Sequence, residues 1–276
     1  GWLLIFFSLM MLPSVGFALL YGTGGIGPLI YSMLLTMMVG ITMALFRPSM
    51  HDTELTIREG FLIVSGGWFL CSGFGALPFF LAETFVPAAP QTPAFWTFLG
   101  SITNSIFESA SGLTTTGASV LSDFDQPHGI MFWRSTTHWL GGMGIIVLSL
   151  AILPLIGAGG MQLFKAEVPG PVKDRLKPRI ADTAITLSKV YLFFTFVETI
   201  ALMLCGMSFY EALCHTFGTI ATGGFSTHPI SVGGYNSNAI NLVITFFMIV
   251  AGINFALHYR FLKGEWKVYL QNGETK

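Results

Sequence analysis

Two stretches of this chain concentrate uncharged oxygen chemistry inside apolar sequence: SGLTTTGASV at residues 111–120 and FGTIATGGFS at residues 217–226. Threonine hydroxyls and backbone carbonyls together can replace the water shell of a cation without any formal charge. Threonine branching stiffens extended backbone, and a glycine after it lets the chain turn its carbonyl toward a common axis. A displacement of 106 positions lays Gly112 on Gly218, Thr116 on Thr222 and Gly117 on Gly223, with Ala118 and Gly224 following. Taken singly, TTTGA is equally a turn closing a membrane hairpin. Its recurrence at a matched position favours two walls of one cation site.

The elements that must position these loops follow from composition. Of 276 residues, 53% are hydrophobic and only 10% charged, and the mean hydropathy is +0.69. Those values exclude an ordinary soluble domain and a disordered chain, and they describe an integral membrane protein. Runs near 2–20, 27–46, 60–81, 130–156, 183–207 and 239–259 read as spanning helices. Pro13 in the first is tolerable in lipid. That run is too long for a signal peptide and lacks its cleavage site, so Gly1 is read as a trimmed start. Cys71, Cys205 and Cys214 are odd in number and lie in or beside apolar runs, which argues for small packing residues rather than disulfides.

Basic residues orient the chain. Arg47 and Arg58, then Lys165, Lys173, Arg175, Lys177 and Arg179, then Arg260, Lys263, Lys267 and Lys276 fall on connections of one side, which becomes cytoplasmic together with the N-terminus. The opposite connections, 21–26, 82–129 and 208–238, contain no Lys or Arg. Of the two basic residues within spans, Arg134 and Lys189, the latter is close enough to the inner end to snorkel. The long outer connections are apolar, so they should re-enter the membrane, where non-helical backbone survives only if buried in protein or lining a water-filled cavity. In the first, Phe95, Phe98, Leu99, Ile102, Ile106 and Ala110 repeat at helical spacing, predicting a short helix ending at Ser111.

The fold class expected is therefore all-α integral membrane, with helix, re-entrant pore loop, helix repeats around a central pore, preceded by two extra helices. The boundaries are 1–58 for the two N-terminal helices, 59–160 for the first repeat, 161–182 for a cytoplasmic linker, 183–260 for the second repeat and 261–276 for a cytoplasmic segment. The linker begins and ends on the cytoplasmic side, so the repeats run parallel about an axis along the membrane normal. Each half-helix aims its partly negative C-terminus inward, which favours a cation.

At LTTTGA (113–118), WLGGMGIIVL (139–148) followed by AILP (151–154), GGMQLFKAEVPGPVKD (159–174), IATGGFSTH (220–228) and INFALH (253–258), the chain resembles the Trk/Ktr/HKT superfamily of K+ transporters, most closely its bacterial Trk branch. The resemblance implies four helix, pore loop, helix repeats after two extra helices, K+ as the transported ion with no covalent cofactor, an inner-membrane homodimer, and a cytoplasmic nucleotide-binding (RCK/TrkA-type) regulatory subunit. Lipid is the remaining partner, and no nucleic acid is expected. Only two repeats occur here, without the gating loop of the third or the basic residue of the last helix. The chain is accordingly read as the N-terminal half of a longer one, with a ring built from two copies as the alternative.

Carried over by the resemblance, the ion-coordinating positions are Thr115 and Thr116 before Gly117, and Ala221 and Thr222 before Gly223. Leu113, Thr114, Thr219 and Ile220 are their neighbours. Glycine rather than serine at 117 resembles the K+-selective members. Whether transport is channel-like or coupled to H+ or Na+, as in a symporter, stays open, as does a non-selective Na+/K+ pathway.

Glu108, near the end of the first half-helix, and Arg134, at the start of the next span, are expected to pair and brace the filter, since a lone charge at that depth is expensive. Reaching the outer water separately is the equal alternative. Asp123 and Asp125 belong to an outer loop that could concentrate cations, although a plain solvated loop is the favoured reading. His138, His215, His228 and His258 invite a rival reading, an intramembrane metal-dependent enzyme. They lack metal-ligand spacing within a segment, so core, capping or interfacial roles are favoured. Gly141, Gly142 and Gly144 read as close helix packing. Pro169, Pro171 and Pro178 stiffen the basic linker, which suits a segment lying against anionic headgroups, and no Walker-type motif gives the chain a nucleotide site of its own.

Overall fold

The computed structural model describes residues 1–46, 57–86, 93–156 and 176–271, and among them every regular element is helical. The chain starts with α1 (Trp2–Leu9) and α2 (Leu12–Tyr21), which together make one membrane-length apolar segment. The break at Met10 and Met11 seats Pro13 in the first turn of α2, where its missing N–H leaves no helix bond unmade. α3 (Ile26–Leu45) and α4 (Ile57–Leu81) are the next two apolar helices.

α5 (Ala94–Leu113) has 20 residues, but it is not among the helices apolar enough to cross a membrane. It continues two residues past the expected stop at Ser111, so Gly112 lies inside the helix. Glycine is needed there for space, because a Cβ on Gly112 would collide with the Thr137 side chain. α6 (His128–Ile156) follows after an extended return and has 29 residues, about 43 Å at 1.5 Å per residue.

The second half repeats this order. α7 (Leu176–Leu204) contains a membrane-length apolar stretch from Thr183 to Leu204, and Gly206 turns the chain with φ +99°. α8 (Phe209–Ile220) is short, and its start is fixed by Ser208, whose side chain accepts from the Glu211 N–H at 3.2 Å. Such a cap contributes about 1 kcal/mol. After a 3-10 turn at Ser231–Tyr235 come α9 (Asn238–Gly252), α10 (Phe255–Leu262) and α11 (Val268–Gln271).

The sixth expected span, 239–259, is not a straight helix. It breaks at Ile253 and Asn254, with α9 and α10 bent by 100°. Asn254 starts the new helix by accepting from the Ala256 N–H at 3.0 Å, and His258 bridges the bend, pairing with the Val250 carbonyl at 2.8 Å and the Tyr269 hydroxyl at 2.7 Å. Periodicity cannot report a corner whose two arms are both apolar. Most of the expected linker, 161–175, lies outside the described residues, as do Arg47, Lys165, Lys173, Arg175 and Lys276.

α6 is the central post. Its buried Trp133 packs edge-on to Phe7 with ring centres 5.3 Å apart and donates to the Gly75 carbonyl at 2.9 Å, tying α1 and α4 to it. On another face Phe132 joins Phe17, Tyr210, Cys214 and Phe217, linking α2 and α8. About two turns further along α6, the Tyr191 hydroxyl donates to the Trp139 carbonyl at 3.0 Å, and Trp139 donates to Thr195 at 3.1 Å, fastening α7.

Candidate ion-binding loops

The two half-helices end alike. α5 stops at Leu113 and α8 at Ile220. The Thr115 and Thr116 N–H groups then donate to the Gly112 and Ser111 carbonyls, both at 3.0 Å, and the Thr222 and Gly223 N–H groups donate to the Thr219 and Gly218 carbonyls, both at 2.9 Å. Thr115 and Thr222 share the left-handed conformation at φ +54° and +56°, as do Gly117 and Gly224 at +74° and +89°. For a β-branched residue this conformation costs of order 1–3 kcal/mol and persists only where its surroundings enforce it.

These pairings set the structural correspondence at 107 positions, one more than the sequence displacement. Thr115 matches Thr222, Thr116 matches Gly223, and Gly117 matches Gly224. The shorter displacement places Gly117 on Gly223, but Gly223 is not the left-handed residue of its loop. The error comes from GG at 223–224, where the first glycine offers the easier match.

The loops touch directly. A Cβ on Gly117 would collide with the Gly223 carbonyl oxygen, and one on Gly223 would collide with the His138 ring. Two adjacent glycines of α6 hold the helix ends beneath. A Cβ on Gly141 would collide with the Leu113 carbonyl, and one on Gly142 would lie 3.0 Å from Ala221. Gly144 makes only ordinary contact with Trp68, so close packing rests on the first two.

The carbonyls of Thr114, Thr115, Thr116 and Gly117, and those of Ala221 and Thr222, accept no hydrogen bond from the described residues. Thr114 and Thr116 share a hydroxyl bond of 2.8 Å, and Thr114 also donates to the Ala110 carbonyl at 2.8 Å. Leu113, Ile220 and Ala221 are buried, as is Thr219, whose hydroxyl donates to the His215 carbonyl at 2.9 Å. Thr114, Thr116 and Thr222 are exposed, and Thr115, Gly117 and Gly223 are half-buried. Uncharged oxygens left unpaired on strained backbone form a surface suited to a weakly hydrated cation.

Glu108 and Arg134 are paired. Arg134 Nε donates to Glu108 Oε1 at 2.6 Å, with side-chain exposures of 4% and 0%. The carboxylate also accepts from the Ser119 hydroxyl at 2.7 Å and the Val120 N–H at 3.0 Å, so it holds the segment leaving the first loop. Arg134 reaches further than expected: it donates to the Ser119 hydroxyl at 3.0 Å and to the Ser226 carbonyl in the other loop at 2.9 Å. Its guanidinium lies 3.6 Å from the ring centre of Phe225, which stacks on His138 at 3.9 Å.

The histidines occupy separate places. His138 is buried against Phe225, His215 bonds Ser226, His228 faces Glu211 at 3.2 Å, and His258 spans the bend. Among the described residues no three of His, Cys, Asp and Glu gather as a metal site. Asp123 is exposed and accepts from the Asp125 N–H at 2.9 Å, closing its own loop. Sequence reasoning missed Phe225 and Ser226, which only the 107-residue register would have exposed. It also missed Glu198, fully buried on α7 beside Thr219.

Membrane-length apolar helices combined with two helices whose glycine-bearing loops meet tip to tip define an integral membrane protein of the paired re-entrant-loop class. The chain belongs to the TrkH family of cation transport proteins, whose model matches residues 29–269. It is 44% identical over its whole length to the Trk system potassium uptake protein TrkH of Salmonella typhimurium, covering 55% of that protein. It is also 34% identical to Trk system potassium uptake protein TrkG of Escherichia coli over 94% of this chain and 51% of that one. The crystal structure of the potassium transporter TrkH from Vibrio parahaemolyticus matches all of this chain and 53% of its own, with a TM-score of 0.81 and 37% identity. The chain spans about half the length of the curated relatives it matches.

Proposed function

We propose that this chain is part of a K+-translocating subunit of a bacterial uptake system, in which K+ sheds water against the carbonyls of Thr114, Thr115 and Thr116 and of Ala221 and Thr222. The observation that carries this reading is the repeated loop backbone, left-handed threonine and left-handed glycine at a constant spacing, with unpaired carbonyls and direct contact between the copies. Gly117 and Gly224 are the pivots. The names of the relatives support K+ as the cargo, and the glycine at 117 supports K+ over Na+.

In this reading 59–160 and 183–260 are the two repeats, the Lys- and Arg-rich connections face the cytoplasm across the inner membrane, and the loops enter from outside. No covalent chemistry is involved. Ions move on because each site is only moderately strong. Homodimerisation and a nucleotide-binding regulatory subunit on the cytoplasmic face complete the proposal by likeness to the family.

Growth of a K+-uptake-deficient bacterium at low K+ is the test. The full-length chain is expected to restore growth and to carry tracer Rb+ into proteoliposomes. Membrane-inserted protein that restores neither would overturn the proposal.

A further inference from the structure

The brace behind the first loop has a counterpart behind the second. Glu108 and His215 lie 107 positions apart, the spacing of the two loops, and so do Ser119 and Ser226. In the first repeat the Ser119 hydroxyl donates to Glu108 at 2.7 Å and accepts from the Leu121 N–H at 3.1 Å. In the second, Ser226 Oγ lies 3.1 Å from His215 Nε2 and accepts from the His228 N–H at 3.0 Å. His215 Nδ1 faces the Glu211 carbonyl at 2.8 Å, an acceptor only, so Nδ1 carries a proton and, when the ring is neutral, Nε2 accepts from Ser226. A carboxylate and an imidazole thus do the same work: each pins the serine that ends its loop.

Arg134 joins the two braces. It touches Glu108 and Ser119 on one side and the Ser226 carbonyl on the other, and its guanidinium with the His138 ring clasps Phe225. We propose that His215 is a positioning residue for the second loop, equivalent to Glu108 for the first, and that Arg134 couples the two loops so that ion discrimination depends on both braces together. This rests on the filter reading above.

The test is the K+/Na+ flux ratio of the full-length protein in proteoliposomes at matched protein content. His215→Leu removes the acceptor and is expected to lower the ratio roughly fivefold, the worth of one buried hydrogen bond. His215→Gln keeps an acceptor and is expected to stay near the parent value, a rescue that a role limited to packing would not produce. Combined with Glu108→Gln, His215→Leu should change the ratio by a factor different from the product of the single effects. If leucine prevents accumulation, Ser226→Ala removes the same bond and carries the test. An unchanged ratio at normal flux, equal effects of Gln and Leu, or strictly multiplicative effects would overturn the coupling. Absence of K+ flux in the unaltered protein would instead overturn the filter reading itself.

Discussion

Replacing Gly117 by alanine or serine in the full-length chain is expected to cut K+ flux at least tenfold and to erode K+/Na+ preference. Two costs combine at this position. The left-handed φ of +74° penalises any residue with a Cβ by about 1–2 kcal/mol, equivalent to roughly a factor of ten in rate if it falls on the conducting state. The added Cβ would also collide with the Gly223 carbonyl oxygen, so one loop must move away from the other. Two other glycines calibrate the result. Gly224 has φ +89° but open space around its Cβ direction, so alanine there should cost strain alone. Gly233, with no left-handed φ and no neighbour within 4 Å, should tolerate alanine without a change in flux. The order of damage, 117 above 224 above 233, is read by tracer Rb+ uptake at equal protein content. An equal response at all three would break the link between loop contact and conduction.

Arg134→Leu is expected to be the most destabilising single substitution at the brace. It strands the Glu108 carboxylate, whose side chain is 0% exposed, with two neutral donors and no countercharge. Removing one partner of a buried ion pair costs about 3–5 kcal/mol, enough to unfold a marginal domain. Glu108→Gln should be milder, since the amide oxygen can still accept, at about 1–3 kcal/mol. Glu108→Gln combined with Arg134→Met removes both charges and should recover part of the loss. Thermal unfolding of detergent-solubilised protein ranks the three, and Arg134→Leu as stable as the parent would remove the brace from the account.

Much of the loop chemistry was legible because it contradicts its surroundings. Threonine and glycine clustered between apolar runs, on the side without Lys or Arg, can be read without coordinates. The Glu108 and Arg134 pair was only half legible, since a charge at that depth favours a partner while two side chains reaching the outer water fit the sequence equally well. What escaped was geometry with no compositional trace. The corner at Ile253 joins two apolar arms, so hydropathy runs through it unbroken. The one-residue change in register was hidden by consecutive glycines at 223 and 224. With it went the equivalence of Glu108 and His215, two residues of unlike chemistry whose shared task appears only through the serine each one holds. The resemblance puts Thr115 and Thr222 at ligand positions, but β-branched residues give no sequence signal for a left-handed φ.

Two loops that form adjoining walls of one K+ site must hold the ion between them. Anomalous diffraction from crystals of the full-length protein grown in Tl+ or Rb+ tests it most directly. Ion density is expected bordered by the carbonyls of residues 114–116 and 221–222, lost on exchange into Na+. Ion density elsewhere in the protein, with none between these two loops, would contradict it.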